Sequence, residues 1–299
     1  MKFTLTDEQT GFARSLDDLL SRADTVAANR AWAAGDHEPG LKLWARLADL
    51  GVTSLAAEAS PVEVCLAFEA IGRHVAPGPW IESAAFLPLA LPDTDLSESR
   101  ATVAMPYALD ADIADAVYTV ADGQLHQATV GERVASVDPS RHLFEVTAGE
   151  PVDSPNLDAA HDLATLAGAA ELLGAGERVL ADSVAYVKQR TQFGRPIGSY
   201  QAIKHQLADV RIALDFARPL VYGAALGVTR RSVAAAKIQS ADAANLAARV
   251  GLQVHGAIGY TDEYDLSRWL LRIRALQSAW GSPASHRAWL INDLLASRS

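Results

Sequence analysis

The chain has 299 residues, enough for two or three structural units around a sizeable core, and no transmembrane-length apolar run of about 18 residues. Apolar residues make up 49% and charged residues 21%, the balance of a folded globular protein and not of a disordered one. A net charge of −10 argues against nucleic acid or an anionic membrane as partner, leaving Arg268, Arg272 and Arg274 as a local cluster able to meet a phosphate.

Residues 1–97 read as a helical domain. Thr6-Asp7-Glu8-Gln9 has the form of a capping box, and Phe12, Leu16, Leu19 and Leu20 follow at helical spacing. A second helix carries Leu43, Trp44, Leu47 and Leu50 and stops at Gly51, and a third runs from Pro61 to Arg73. Pro77, Gly78 and Pro79 break the pattern, and Ser83–Leu91 is expected to form a short helix. Cys65 lies in an apolar helical run and reads as a buried, inert thiol. The polar N-terminus does not resemble a signal peptide, so the cytoplasm is the expected compartment.

Residues 98–157 change character and are expected to form a small β domain of five or six strands. Ala101–Pro106, Ala116–Val120, Thr129-Val130 and Leu143–Thr147 are short β-type runs, Asp122-Gly123 has hairpin-turn chemistry, and Pro151–Pro155 reads as a linker. Residues 158–299 return to helical periodicity. Helices are expected over Asp158–Arg190, Tyr200–Gly227, Ser232–His255, Leu266–Leu276 and Ala284–Leu295, with three long members of about 35–45 Å in an antiparallel bundle.

Two connectors in this last part carry chemistry. Arg190-Thr-Gln192-Phe193-Gly194 followed by Gln201 joins two long helices, and it supplies a cation, an aromatic ring and amides at fixed separations. These are groups able to grip a dianionic cofactor with an aromatic tail. Gln253-Val-His-Gly256-Ala257-Ile-Gly259-Tyr260 offers another amide and a small-residue turn where backbone N–H groups can approach phosphate.

On these two motifs, on Leu5-Thr-Asp-Glu-Gln9 and on Trp44-x-x-Leu47-Ala-x-Leu50-Gly51, the chain resembles the acyl-CoA dehydrogenase family. The resemblance implies a mainly α fold with an N-terminal helical domain, a small reduced β domain and a C-terminal four-helix bundle. It also implies that Arg190, Gln192, Phe193, Gln201, Gln253, Gly256 and Ala257 contact the FAD of a neighbouring subunit. Ala257 stands where the family usually has a second glycine.

Dehydrogenation of a thioester needs a carboxylate to remove the α-proton. The family's common place for it, 27 residues after Gln253, holds Trp280 within Ala279-Trp-Gly-Ser282, and an indole cannot accept that proton. The alternative place, 26 residues before Arg190, holds Ala164, with Thr165 beside it. The ring-holding Thr-Glu-Pro-x-x-Gly-Ser and Trp-Ile-Thr strands of the family have no counterpart between Ala101 and Val152.

The favoured expectation is a subunit that lacks the catalytic glutamate and completes the FAD site of a second acyl-CoA dehydrogenase subunit. Family members from steroid-degrading actinobacteria resemble this α2β2 arrangement. The implied partners are that base-bearing subunit, an acyl-CoA substrate that includes steroid side-chain thioesters, and an electron-transfer flavoprotein as electron acceptor. Two alternatives stay open: a flavin-free scaffold or regulatory relative, and a homomeric enzyme with a relocated base such as Glu171 or Asp162. Glu171 and Glu177 otherwise read as surface or helix-pair charges, and Asp262-Glu263 as helix-start acids. His205, His255 and His286 lack metal-ligand spacing, so no metal is expected, and Trp269, Trp280 and Trp289 read as core or interface aromatics.

Overall fold

A computed structural model describes residues 4–96 and 99–297. Helix α1 (Asp7–Arg22) starts at the expected capping box: the Gln9 amide donates to Thr6 Oγ1 at 3.1 Å, and the Thr6 amide to Gln9 Oε1 at 3.0 Å. Helix α2 (Thr25–Ala33) is an addition to the sequence reading. Its inward face holds Thr25 and Asn29 beside Ala28 and Trp32, so the apolar repeat is broken by buried polar residues. Asn29 donates to the Val75 carbonyl at 3.1 Å and to Ser140 Oγ at 2.9 Å.

Helix α3 (Glu38–Asp49) ends before Gly51, whose φ of +85° takes the left-handed terminator role expected of it. A short turn of helix, α4 (Leu55–Glu58), leads into α5 (Pro61–His74). The expected helix over Ser83–Leu91 is instead a wide π-turn, Ile81–Phe86, followed by α6 (Leu87–Ala90). Cys65 is fully buried, and burial pushes its thiol well above the ordinary range, as expected of an inert side chain.

A five-stranded sheet follows, in the order β1-β3-β4-β5-β2, with β1 (Ala101–Ala104), β2 (Ala108–Leu109), β3 (Ala116–Ala121), β4 (Gln124–Val134) and β5 (Leu143–Val152). The β3–β4 hairpin turns at Asp122-Gly123, both at positive φ (50° and 75°), the conformation that dipeptide favours. Two expectations are corrected. Strand β4 is far longer than Thr129-Val130, because its polar, exposed residues hide any alternation. The segment read as a linker from Pro151 begins inside β5, where Pro151 and Val152 pair with His126 and Leu125.

The C-terminal part comprises α7 (Leu157–Gln189), the ribbon β6 (Thr191–Gln192) and β7 (Arg195–Pro196), α8 (Gln201–Ala225), α9 (Arg230–His255), α10 (Leu266–Leu276) and α11 (Pro283–Ala296). Helix α7 is the buried centre of the molecule. Small residues let its neighbours approach backbone to backbone: a Cβ on Gly174 would sit 1.9 Å from the Glu69 carbonyl oxygen of α5, and one on Gly72 would sit 2.0 Å from that of Glu171. Against α9, Gly251 plays the same part, with space for a Cβ taken by Val179 Cγ1 at 2.6 Å. No helix among the described residues is long and apolar enough to cross a membrane.

One ionic knot joins the three parts. Arg272 of α10 donates to Asp138 Oδ2 at 2.7 Å, Glu171 Oε1 at 2.9 Å, Ser140 Oγ at 3.2 Å and the Ala76 carbonyl at 3.3 Å, and its guanidinium is buried. Glu171 is therefore a buried partner and not a surface charge. Arg268 is also buried and is held by Asp262, so of the arginine cluster only Arg274 is exposed and able to meet a phosphate. Glu177 pairs with Arg211 and with Arg218, the latter at 3.0 Å, as a helix-pair charge.

Candidate functional site

Because α7, α8 and α9 run up, down and up, the C-terminal ends of α7 and α9 and the start of α8 share one end of the bundle. The end is sealed by stacked rings. Tyr186, one turn before the end of α7, lies 4.2 Å from the ring of His255 at the end of α9, and Tyr264 closes the stack at 5.3 Å from His255. His255 is buried, its Nδ1 donating to the Gly251 carbonyl at 2.7 Å, and burial holds its pKa below the ordinary value. Its ring packs within the stack.

The β6–β7 ribbon projects from this end. The Ile197 amide donates to the Arg190 carbonyl at 2.8 Å, closing the loop at its base. At its tip Phe193 takes φ +50° and Gly194 φ +80°. A left-handed Phe costs on the order of 1 kcal/mol, and this one places its ring 92% in solvent, so the strain brings no packing within the chain. The Arg195 guanidinium sits 4.0 Å from the Tyr200 ring centroid, and the Gln192 side chain folds onto the Thr191 carbonyl at 3.0 Å. Arg190 is exposed, and among the described residues its guanidinium has no hydrogen-bonding or ionic partner. Gln201 opens α8 with an exposed side chain.

Beside the ribbon, Gly256 ends α9 at φ +63°, ψ −139°, and a Cβ there would meet nothing within 4 Å. The turn is open to an incoming ligand. Gln253 and Ala257 are exposed, as are Ile258 and Tyr260. All seven residues singled out from sequence thus lie at one end of the bundle, directed away from the core, among exposed apolar side chains.

The base position is built differently. Trp280 is buried at φ +57°, its ring near Phe86 (5.3 Å) and His161 (5.9 Å). Its turn is held rigidly: Lys237 donates to the Leu276 and Ala279 carbonyls at 2.9 and 2.7 Å, and His286 Nε2 donates to the Trp280 carbonyl at 3.1 Å. Burial lowers the Lys237 ammonium to a pKa of about 7. Ala164 is fully buried, and the Thr165 hydroxyl donates to the His161 carbonyl at 2.8 Å.

Trp280 forms one wall of a cavity of about 320 Å³ shared with Glu82, Met105, Tyr107, Arg141 and Ser278. Glu82 was not singled out from sequence. It is an acid in the apolar run Trp80-Ile-Glu82-Ser-Ala-Ala-Phe86, and that contrast was the available signal. Its Oε2 has no partner, and burial raises its pKa to about 7 against the opposing pull of Arg141. Of the two carboxylates weighed as relocated bases, Glu171 is occupied by Arg272, while Asp162 is half-buried, which raises its pKa.

Residues 162–295 match the sequence profile of the acyl-CoA dehydrogenase C-terminal domain. Over 302 aligned positions the chain is 31% identical to acyl-CoA dehydrogenase IpdE2 of Mycobacterium tuberculosis, covering 94% of this chain and 95% of that one. The chain belongs to the acyl-CoA dehydrogenase family. IpdE2 of Mycolicibacterium smegmatis is 32% identical over 59% of this acyl-CoA dehydrogenase homologue and 58% of its own length. Similar solved folds include the ChsE4-ChsE5 complex of M. tuberculosis (TM-score 0.85, 22% identity, 99% of both chains). Another is the Tcur3481-Tcur3483 steroid ACAD (TM-score 0.86, 22% identity, 98% of this chain and 99% of that one). The order of helical, β and helical parts expected from sequence is the family fold.

Proposed function

We propose that this chain is the non-catalytic subunit of a cytoplasmic, heteromeric, FAD-dependent acyl-CoA dehydrogenase that oxidises the Cα–Cβ bond of an acyl-CoA thioester. The observation that carries the reading is a pairing of opposites. The nucleotide-gripping residues stand exposed together at one end of the bundle, while the two family base positions hold a buried indole and a buried methyl group. When bound, FAD accepts the β-hydride as a base removes the α-proton, and an electron-transfer flavoprotein reoxidises it.

The residues fit the nucleotide half of FAD. The unpaired Arg190 guanidinium suits the pyrophosphate, Phe193 offers a face to the adenine, and the amides of Gln192, Gln201 and Gln253 donate hydrogen bonds. The turn at Gly256 and Ala257 leaves open space beside its backbone, so a phosphate can approach closely. The partner subunit supplies the ring pocket and the base. Ile212, Phe216 and Leu220, exposed at four-residue spacing on α8, form an apolar face suited to subunit contact. The two-protein naming of the ChsE4-ChsE5 and Tcur3481-Tcur3483 structures supports a heteromer, and the second name supports a steroid-bearing thioester.

Co-expression with a base-bearing dehydrogenase homologue is the test. The expected result is a complex that holds FAD and forms enoyl-CoA, whereas the isolated chain does neither. A lone chain that purifies with FAD and full turnover ends the proposal.

Glu82 favours a second reading, in which this chain carries a relocated base. Its orphan oxygen and near-neutral pKa in the cavity beside Trp280 are properties of a general base. On that reading Glu82→Gln lowers turnover by the isolated chain at least 100-fold with its melting temperature retained. An inactive wild-type chain removes the reading.

A further inference from the structure

Three side chains from distant parts of the sequence converge beside Trp32. His37 precedes α3, Asp112 lies between β2 and β3, and His142 stands immediately before β5. His37 Nε2 and His142 Nδ1 are 3.3 Å apart, His142 Nδ1 and Asp112 Oδ2 3.1 Å, and His37 Nε2 and Asp112 Oδ2 3.7 Å. The point equidistant from these three atoms lies about 2.0 Å from each. That is the bond length of zinc to imidazole nitrogen and carboxylate oxygen.

Hydrogen bonding alone leaves this triangle unmet. A proton on His142 Nδ1 serves Asp112 and removes the lone pair that His37 needs. A proton on His37 Nε2 serves His142 and leaves Nδ1 and the carboxylate facing each other as two acceptors. The remaining side, at 3.7 Å, is too long for a hydrogen bond. A cation at the centre satisfies all three lone pairs at once, where a single proton on His142 Nδ1 has to be shared between two acceptors.

The surroundings hold the ligands in place. The Asp110 amide donates to the His142 carbonyl at 2.6 Å, and the His142 amide donates back to Asp110 Oδ1 at 3.1 Å. Trp32 Nε1 donates to that same oxygen at 3.0 Å, and its ring stands edge-on to His37 at 4.6 Å. Asp110 therefore holds the His142 backbone in place, and the Trp32 indole that it anchors packs against the His37 ring. His142 Nε2 has no partner of its own, so the ring's polar contacts run through Nδ1.

We propose that His37, Asp112 and His142 form a divalent-cation site of the zinc class that clasps the turn before α3 to the sheet. Two nitrogens and one carboxylate favour a borderline ion such as zinc over magnesium or calcium. The Asp112 side chain is 29% exposed, which leaves a coordination position facing water. The site stands apart from the flavin reading: none of its residues lies at the ribbon end or lines the Trp280 cavity.

The test uses the full chain, freed of any affinity tag, stripped with EDTA and reloaded with zinc chloride. Elemental analysis after desalting is expected to find one zinc per chain. Free zinc at a hundredfold excess over Kd is expected to raise the melting temperature by about 4 °C for a chain of this size. His37→Gln and Asp112→Asn, both at partly exposed positions, are each expected to weaken zinc binding at least tenfold with an unchanged far-ultraviolet spectrum. Failure of the wild-type chain to retain zinc overturns the site, as does equal retention by both variants, which places the ion elsewhere.

Discussion

Replacing Arg272 with alanine is expected to lower the melting temperature by about 5–8 °C, the equivalent of the roughly 3–5 kcal/mol lost when a buried pair is broken by removing one partner. The effect is large because the guanidinium serves two buried carboxylates, Asp138 and Glu171, whose side chains are each 3% exposed. Its removal takes the cationic partner from both and leaves the Ala76 carbonyl without this donor, while the Ser140 hydroxyl keeps Asn29 and Asp138. The pH dependence has a definite sign. Burial pushes the Asp138 carboxyl up, but Arg272 together with the Ser140 hydrogen bond and Arg141 outweighs it and holds the pKa below its ordinary 3.8. In the native chain that contribution is complete above pH 3.8 and is lost as the pH falls through the lower folded value. In the variant the lowering by Arg272 is gone and burial is opposed only by the Ser140 hydrogen bond and Arg141, so the Asp138 pKa rises and the folded state takes up a proton at a higher pH than the native chain does. The deficit is then smaller at pH 5 than at pH 8. Thermal melts of both proteins at those two values check this, and a deficit independent of pH means that Asp138 is not the stranded group.

That knot also shows where sequence reading stopped. Periodicity and caps located the bundle helices to within a few residues, because small and apolar residues repeat there without interruption. The ends of α7 and α9 were legible as chemistry, because each compresses several polar groups into one turn. Glu171 was misread because its partner lies 101 positions away and helical spacing offers no hint of it. Strand β4 was hidden by exposure on both faces, and α2 by buried polar residues such as Asn29, whose partners Val75 and Ser140 lie in other segments. The same blindness covered His37 and His142, which are 105 positions apart. Apart from β4, the missing information was a long-range polar contact, which leaves no local pattern.

Arg190→Ala in the reconstituted complex is expected to weaken FAD retention roughly 10- to 100-fold, the factor for losing a charge-assisted hydrogen-bonded pair of about 1.5–3 kcal/mol. The absorbance ratio of flavin to protein after repeated dilution and concentration reads it directly. Arg190 is exposed and has no side-chain partner among the described residues, so its removal should leave the melting temperature of the isolated subunit unchanged. This separates a lost ligand contact from a damaged fold. Arg190→Lys keeps the charge but not the two-pronged geometry, so it is expected to restore only part of the retention. Phe193→Ala adds an independent readout. Its side chain is 92% exposed, so a drop in retention there points to a contact made outside its own chain. If retention is unchanged in both alanine variants, the gripping residues are remnants and the flavin-free scaffold becomes the better description. If Arg190→Ala loses flavin while the partner subunit stays assembled, the site is shared between chains, and a strained, solvent-facing Phe193 is explained by the ligand it meets there.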